Sequence, residues 1–501
     1  KILFNDAVAM TGGQPVDGPI SVHAIAHSLR AEGVKRIALV SDAPEKFHSG
    51  DFPSGVTIDH RRDLDSIQRE LRDVKGVSAL IYEQACATEK RRRRKRGELE
   101  DPRKFVIIND LVCEGCGDCS VESNCLSVEP KETPFGRKRK INQSSCNKDF
   151  SCLNGFCPSF VTIEGATRRK PGGVAIDPTV AASRLPEPAL AELDQPFNLL
   201  VTGVGGTGVI TIGVLIAMAA HLEGKGASVL DFTGFAQKFG PVLSYIRLAK
   251  RPDEIQQPRI DQGAADALIA CDLVVSTSPK ASSTFRAGMA AVVNMAEMPT
   301  GDIVRFRDAG LAMPQRLAAL EQAIGAPPLA RVDANAAAEK LLGDAVFANM
   351  IMLGMAWQNG LAPVSRDALM RAIELNGVAV EQNKAAFAWG RLATADPDMV
   401  ARAIGDIKPR PETLDDVIER RARFLVDYQG KAYADRYRAI VLRVRRAEAP
   451  FENEIVVDAV ARSLFKLMAY KDEYEVARLH METGFIDGLR KEFDGDFSVR
   501  Y

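Results

Sequence analysis

Residues 197–222 read FNLLVTGVGGTGVITIGVLIAMAAHL, and their interpretation sets the architecture of this chain. A strand signal, Phe197 to Thr202, runs into Gly203-Val204-Gly205-Gly206-Thr207-Gly208, and apolar residues then continue to about Leu222, long enough for a helix. A second strand signal, Ser228 to Phe232, follows. Strand, glycine-rich turn, helix and strand in that order define one βαβ unit and predict an α/β domain. The turn has G-x-G-x-x-G spacing in the context that a dinucleotide site requires, and Asp231 ends the next strand about where a ribose-binding acid would stand. A nicotinamide or flavin site on Gly203, Gly205, Gly206 and Gly208 is one reading. A turn that packs helix against strand without a ligand is another.

Upstream, residues 1–100 also alternate strand and helix signals: Ile2 to Phe4, a helix near Val22 to Glu32, Arg36 to Val40, a helix near Leu64 to Arg72, and Val77 to Tyr82. The strand signals carry little polar alternation, as expected of a parallel sheet covered on both faces. The basic run Lys90 to Arg96 breaks this pattern before Asp101-Pro102 and reads as a domain boundary. A run of one charge is by default a solvated or disordered loop, although this one could attract an acidic electron-transfer partner. Residues 104–168 hold most cysteines and few apolar runs, so something other than a hydrophobic core should hold them together. From Arg169 to Pro196 the Pro-, Gly- and Ala-rich composition reads as a linker. After about Asp396 helical signals such as Leu414 to Arg423 and Ser463 to His480 dominate, with no strand alternation.

At 501 residues the chain is too long for one core. A net charge of −1 leaves no overall electrostatic footprint for nucleic acid. The longest apolar stretch, Val209 to Ala220, is too short to cross a bilayer, and the opening has no signal-peptide layout, so a cytoplasmic location is expected.

Seven of the nine cysteines lie between Cys113 and Cys157. Cys113-x2-Cys116-x2-Cys119 places three thiolates on one tight loop, the spacing that wraps three corners of a cubic iron–sulfur cluster, and Cys157-Pro158 supplies the remote fourth ligand beside a proline. A [4Fe–4S] cluster on Cys113, Cys116, Cys119 and Cys157 is the expectation. Zinc is the competing metal, but its structural sites usually take two separated ligand pairs rather than a triplet. A disulfide framework fits an odd number of cysteines poorly. Cys125, Cys146 and Cys152 remain; with Asp149, with only three irons, or with help from a neighbouring chain they could hold a second cluster, or they are buried free thiols.

The opening KILFNDAVAMTGGQ, residues 1–14, resembles the second half of the diphosphate-binding motif of thiamine diphosphate enzymes, in the form found in 2-oxoacid:ferredoxin oxidoreductases. By that resemblance Asn5 would ligate Mg²⁺ through its side chain and Ala7 through its carbonyl, Thr11 would contact the cofactor, and Gly12 and Gly13 would allow close approach. A plain strand-to-turn junction is the other reading. The glycine turn, followed by Thr233-Gly234-Phe235-Ala236-Gln237-Lys238-Phe239-Gly240-Pro241-Val242, resembles the gamma domain of the same family, as do Asn349-Met350, Leu353-Gly354, Asn383, Phe387 and Gly390. LFKLMAYKDEYEVARLH, residues 464–480, resembles the extension of fused indolepyruvate:ferredoxin oxidoreductases.

The order of these segments resembles the C-terminal portion of that fused family. It implies an α/β multidomain chain: 1–103, the C-terminal part of a thiamine diphosphate-binding domain; 104–168, a ferredoxin-like iron–sulfur insert; 169–196, a linker; 197–395, a gamma-type domain; and 396–501, a helical extension. The implied activity is oxidative decarboxylation of an aryl or branched-chain pyruvate such as indolepyruvate to its acyl-CoA. The implied cofactors are thiamine diphosphate, Mg²⁺ and one or two clusters. The implied partners are the 2-oxoacid, coenzyme A, a ferredoxin acceptor, and the remaining N-terminal part or a partner chain, in a homodimer of the whole. The end at Tyr501, after Phe497 and Val499, reads as a break within a domain. No catalytic base stands out, since His23 and His27, at i, i+4, are equally well surface residues. Two rivals remain: a nicotinamide- or flavin-linked electron-transfer subunit built on the Gly203 turn, and a ferredoxin-like carrier without catalysis.

Overall fold

Ile37, Ala38, Leu39 and Val40 are all completely buried, which requires a strand covered on both faces. In the computed structural model they lie in the strand Arg36–Ser41, inside a four-stranded sheet ordered Ile2–Phe4, Ser78–Glu83, Arg36–Ser41, Val56–His60, with every pairing parallel. The structure describes all residues except 8–15, 19, 170–175, 234–239, 326–328 and 406–411. Helix Val22–Ala31 packs Val22 and Ala26 against Ile37, Leu39 and Ile81, while helix Leu64–Asp73 sets Ile67 and Leu71 against Ala38, Val40 and Leu80. This is the parallel α/β sheet expected for the opening hundred residues. It forms one compact unit, Lys1–Pro102 with 147–149 and 233–241; the remainder of the chain forms the second.

The basic run departs from its expected state as a loop. Ala87–Lys95 is an α-helix whose Glu89 side chain is 1% exposed and faces Arg92, Arg93 and Arg96 at 3.6, 3.4 and 3.2 Å. Lys90 reaches Asp42 at 3.2 Å, and Arg93 grips both carboxylate oxygens of Asp6 at 3.1 Å. Neutralisation by Glu89 within the helix and by Asp6 and Asp42 from distant positions lets the run stay helical.

In the second unit, six strands follow the order Gly226–Thr233, Pro241–Ala249, Phe197–Val204, Ala267–Ala270, Ala290–Asn294, Leu329–Val332. The last three strands and Phe197–Val204 pair in parallel. Helix Val209–Leu222 buries Ile212, Leu215, Ile216 and Ala219 and leaves Ile210, Val214, Met218 and Leu222 on an exposed apolar stripe. The expected linker is partly built into this core: Asp177 caps helix Pro178–Ser183, and Ala182 and Leu193 are buried with the sheet. Helices Ala348–Gln358 and Val380–Ala395 cross so closely that a Cβ on Gly354 would lie 2.0 Å from the Phe387 carbonyl oxygen, and one on Gly390 2.0 Å from that of Ile351.

Helices Leu414–Tyr428, Lys431–Glu448 and Ile455–Met468 share a core of Ala422, Leu425, Tyr437, Val441, Val457 and Ala461. Thr413 and Asp416 form a reciprocal capping box at its start, at 3.2 and 2.9 Å. The C-terminal region is not wholly helical. Phe493–Asp494 pairs with Thr167–Arg168, and Ser498–Arg500 adds an antiparallel strand to Phe160–Glu164, which in turn pairs with Lys104–Ile108. Phe105, Ile163 and Ala166 are buried together with Leu489 and Phe493. The cysteine-bearing segment therefore does have an apolar core, completed by residues more than 300 positions further along the chain. The segment Ser498–Arg500 is an edge strand of this sheet.

Candidate functional site

Strands Lys104–Ile108 and Phe160–Glu164 run antiparallel with Ile108 opposite Phe160, and the Asn109 N–H donates to the Ser159 carbonyl at 2.9 Å. That register puts the chain leaving one strand, toward Cys113, at the same end as the chain entering the other, from Cys157. The ladder thus brings together two cysteines 44 positions apart in the sequence.

Between them the backbone is shaped for tight turns. The Cys113 N–H donates to the Asn109 carbonyl at 2.9 Å, and the Gly115 N–H donates to Cys113 Sγ at 3.3 Å. Gly115 has φ +67°, and a Cβ there would meet the Arg137 carbonyl oxygen at 2.2 Å, so only glycine fits. Gly117, at φ +89°, caps the short helix Asp118–Ser123 that carries Cys119. Cys152 sits on the 3₁₀ turn Ser151–Leu153, after Phe150 in a left-handed conformation.

Cys113 is buried among Val106, Ile108, Val128 and Phe160, with Cys119, Cys125, Cys152 and Cys157 packed against the same apolar cluster. Burial pushes the Cys119 thiol up to about 11, and the neighbouring Cys113, Cys157 and Cys116 add to the rise. Burial also raises Cys116, with Cys157 among its neighbours. Cys113, Cys116, Cys119 and Cys157 are thus electrostatic neighbours; Cys113 is buried, Cys119 and Cys157 are half-buried, and Cys116 is exposed. Among the described residues no three His, Cys, Asp or Glu side chains stand as a ready-made metal site. What the locality offers is chemistry: four thiols, an apolar wall and an uncompensated cation.

That cation is Arg139, from strand Gly136–Ile141. It is 2% exposed, its Nε and Nη1 are buried without a hydrogen-bond partner among the described residues, and its charge lies close enough to lower the Cys119 pKa. A lone buried guanidinium is costly unless something anionic offsets it. Nothing in the RKRK run, residues 137–140, distinguishes Arg139 from its neighbours before folding. His480 was equally hidden: 4% exposed, it accepts from Asn109 Nδ2 at 3.2 Å on Nδ1 and donates from Nε2 to the Pro158 carbonyl at 2.9 Å. It ties the C-terminal region to the residue after Cys157.

The glycine turn is held from outside by Asn349, whose amide donates to the Thr207 carbonyl at 3.0 Å. Gly203 is packed so that a Cβ would fall 2.6 Å from Val209 Cγ2 and 3.0 Å from Cys271 Cβ, and Gly206 and Gly208 take φ +85° and +100°. Asn383 donates to the carbonyl of Val378, just before its own helix, at 2.8 Å.

In the opening motif, Asn5 and Ala7 follow strand Ile2–Phe4, with Ala7 5% exposed, whereas Thr11, Gly12 and Gly13 lie outside the described residues, as do Gly234 to Phe239. His23 stacks on Phe52, ring centroids 4.5 Å apart, and His27 meets the Asp51 carbonyl at 3.4 Å. No helix among the described residues is long and apolar enough to cross a membrane.

Residues 198–393 match the pyruvate ferredoxin/flavodoxin oxidoreductase family, and residues 414–501 match a family of unknown function, DUF6537. The chain is similar to indolepyruvate oxidoreductase subunit IorB of Pyrococcus horikoshii, 26% identical over 201 residues, 39% of this chain and 95% of that subunit. The IorB of Methanothermobacter thermautotrophicus is 26% identical over 204 residues, 40% of this chain and 98% of that subunit. Among solved structures, the gamma subunit of a keto/oxoacid ferredoxin oxidoreductase from Geobacter sulfurreducens aligns with 40% of this chain and 98% of its own length, at 22% identity and a TM-score of 0.28. The six-stranded sheet with its helices, the domain whose sequence resembles a gamma domain, falls within the residues that match the pyruvate ferredoxin/flavodoxin oxidoreductase family, and a helical region follows it. The match to that oxidoreductase family thus covers the middle of the chain, residues 198–393.

Proposed function

We propose that this chain is the electron-carrying part of a thiamine diphosphate-dependent 2-oxoacid:ferredoxin oxidoreductase that converts indolepyruvate, or a related aryl or branched-chain pyruvate, to its acyl-CoA. One observation carries the reading: the thiols of Cys113, Cys116 and Cys157 and the charge of Arg139 all act on the Cys119 thiol, in the same unit as the gamma-type domain.

A [4Fe–4S] cluster held by those four cysteines would supply one-electron transfer. The chain's own residues provide its setting. Val106, Ile108, Val128 and Phe160 exclude water, the Gly115 N–H donates to a ligand sulfur, and Arg139 offsets net negative charge. The hydrogen bond and the cation favour the more reduced, more negative state, and the apolar wall opposes it. Cys125, Cys146 and Cys152 are candidates for a second cluster. Asn5 and Ala7, with Thr11, Gly12 and Gly13, would hold Mg²⁺ and the cofactor diphosphate by the resemblance already described. The exposed stripe Ile210, Val214, Met218 and Leu222 supports a partner chain, because isolated soluble proteins seldom leave such a row uncovered. Gly203, Gly205, Gly206 and Gly208 are read as turn residues of the gamma-type domain and not as a nicotinamide or flavin site, since the family match runs through them and Asn349 holds the turn.

The test is iron and acid-labile sulfide per chain on anaerobically purified protein, with EPR of the reduced form. About four irons fits one cluster and about seven to eight fits two; Cys157→Ser should remove or alter the signal of the first. Zinc-loaded, colourless protein would overturn the proposal.

A further inference from the structure

A cavity of about 310 Å³ opens in the second unit beside the cysteine loop, at the small end of the range for ligand pockets. Three segments distant in sequence build it: the loop and hairpin around Gly115 and Gly136, the stretch containing Arg307 in the gamma-type domain, and the C-terminal helices around Arg421 and Lys466. Its charge is one-sided, with seven cationic side chains on its wall against two carboxylates, Glu114 and Asp308. Glu114 is largely claimed by Lys471, at 2.5 Å, and Asp308 by the adjoining Arg307.

The deepest of the cations is the least satisfied. Arg421 is 3% exposed; two of its nitrogens make long 3.3 Å contacts to the Val417 and Pro134 carbonyls, and its Nε is buried without a partner among the described residues. Its guanidinium lies over the rings of Phe465 and Phe135, 5.5 and 5.9 Å from their centroids, and Phe424 completes that apolar wall. Burial holds its pKa below the usual guanidinium range, with repulsion from Arg462 and Arg420 acting the same way. On the opposite side, Arg137 Nε makes no hydrogen bond among the described residues and stands 3.5 Å from Glu132. Folding gathers these like charges at an electrostatic cost that the neighbouring carboxylates Glu114, Glu132, Asp308 and Asp458, four against seven cations, offset only in part.

We propose that this cavity binds a phosphate-bearing small molecule, its phosphate groups facing the arginines and lysines and its apolar portion lying against Phe135, Phe424 and Phe465. A single carboxylate would leave most of the positive charge unmatched, whereas a phosphate ester or anhydride carries two or more charges and suits the forked geometry of guanidinium. The wall includes residues of the 414–501 region, for which the family match supplies no function, and the site gives that region a role in ligand binding.

The test is calorimetric titration of the full chain with inorganic pyrophosphate, ADP and coenzyme A as probes, at low and high salt. Pyrophosphate is expected to bind, and to weaken at high salt as exposed charges are screened. Lys466→Glu and Arg462→Ala alter partly exposed rim residues and should each weaken binding roughly tenfold, about one ion-pair's worth, while the melting temperature is retained. ADP or coenzyme A binding more tightly than pyrophosphate, with the same sensitivity to both substitutions, assigns the apolar wall to the organic part. Absence of binding by all three probes, or affinities unmoved by both substitutions, overturns the proposal. Because no turnover is read, that outcome is separate from failure of the redox assignment.

Discussion

At Gly354 the tolerance of the fold comes down to one hydrogen atom. Alanine is ordinarily the better helix former by about 1 kcal/mol. Here, however, its Cβ would lie 2.0 Å from a backbone oxygen of the facing helix, which no rotamer change can relieve. Steric cost wins, and Gly354→Ala should destabilise the gamma-type domain by roughly 2–3 kcal/mol, read as a lower thermal or denaturant midpoint. The sequence singles out Gly354 and Gly390 by resemblance but cannot tell that they lie on helices that cross there. Arg139 and Arg421 teach the same lesson from the polar side: their one-letter contexts are ordinary, and only burial makes them conspicuous.

At the scale of the element, helix Ala87–Lys95 exists against its own composition. Successive like charges repel along a helix, and propensity alone would leave this run frayed. Glu89 reverses the outcome by being buried beneath three arginines. Glu89→Gln keeps the shape and removes the charge. It should cost about 2 kcal/mol, below the value for a fully buried pair because the arginines are partly exposed. Faster tryptic cleavage within residues 90–96 is the readout. The helix was not legible because its counter-charges, Asp6 and Asp42 among them, come from elsewhere in the sequence.

Across the whole molecule, the last residues complete what the cysteine segment begins. Phe493 packs on Phe105 with ring centroids 5.0 Å apart, Ser498–Arg500 extends its sheet, and His480 clamps Pro158. Burial lowers the His480 pKa from its ordinary 6.5. The unfolded chain therefore takes up the proton first on acidification. Stability contributed by neutral His480 is complete above about pH 6.5 and is lost as pH falls through the lower folded value. Denaturant midpoints should drop over that acid window, and His480→Gln should flatten the drop. Period and spacing along the chain determined the parallel sheet of residues 1–100, the βαβ unit at the glycine turn and the loop of Cys113, Cys116 and Cys119, because each is written in neighbouring residues. Tertiary structure alone decided the pairing of strand 498–500 with 160–164, the crossing at Gly354 and Gly390, and the positions of Arg139 and Arg421. These depend on which distant segments share a surface, and short-range chemistry does not encode that.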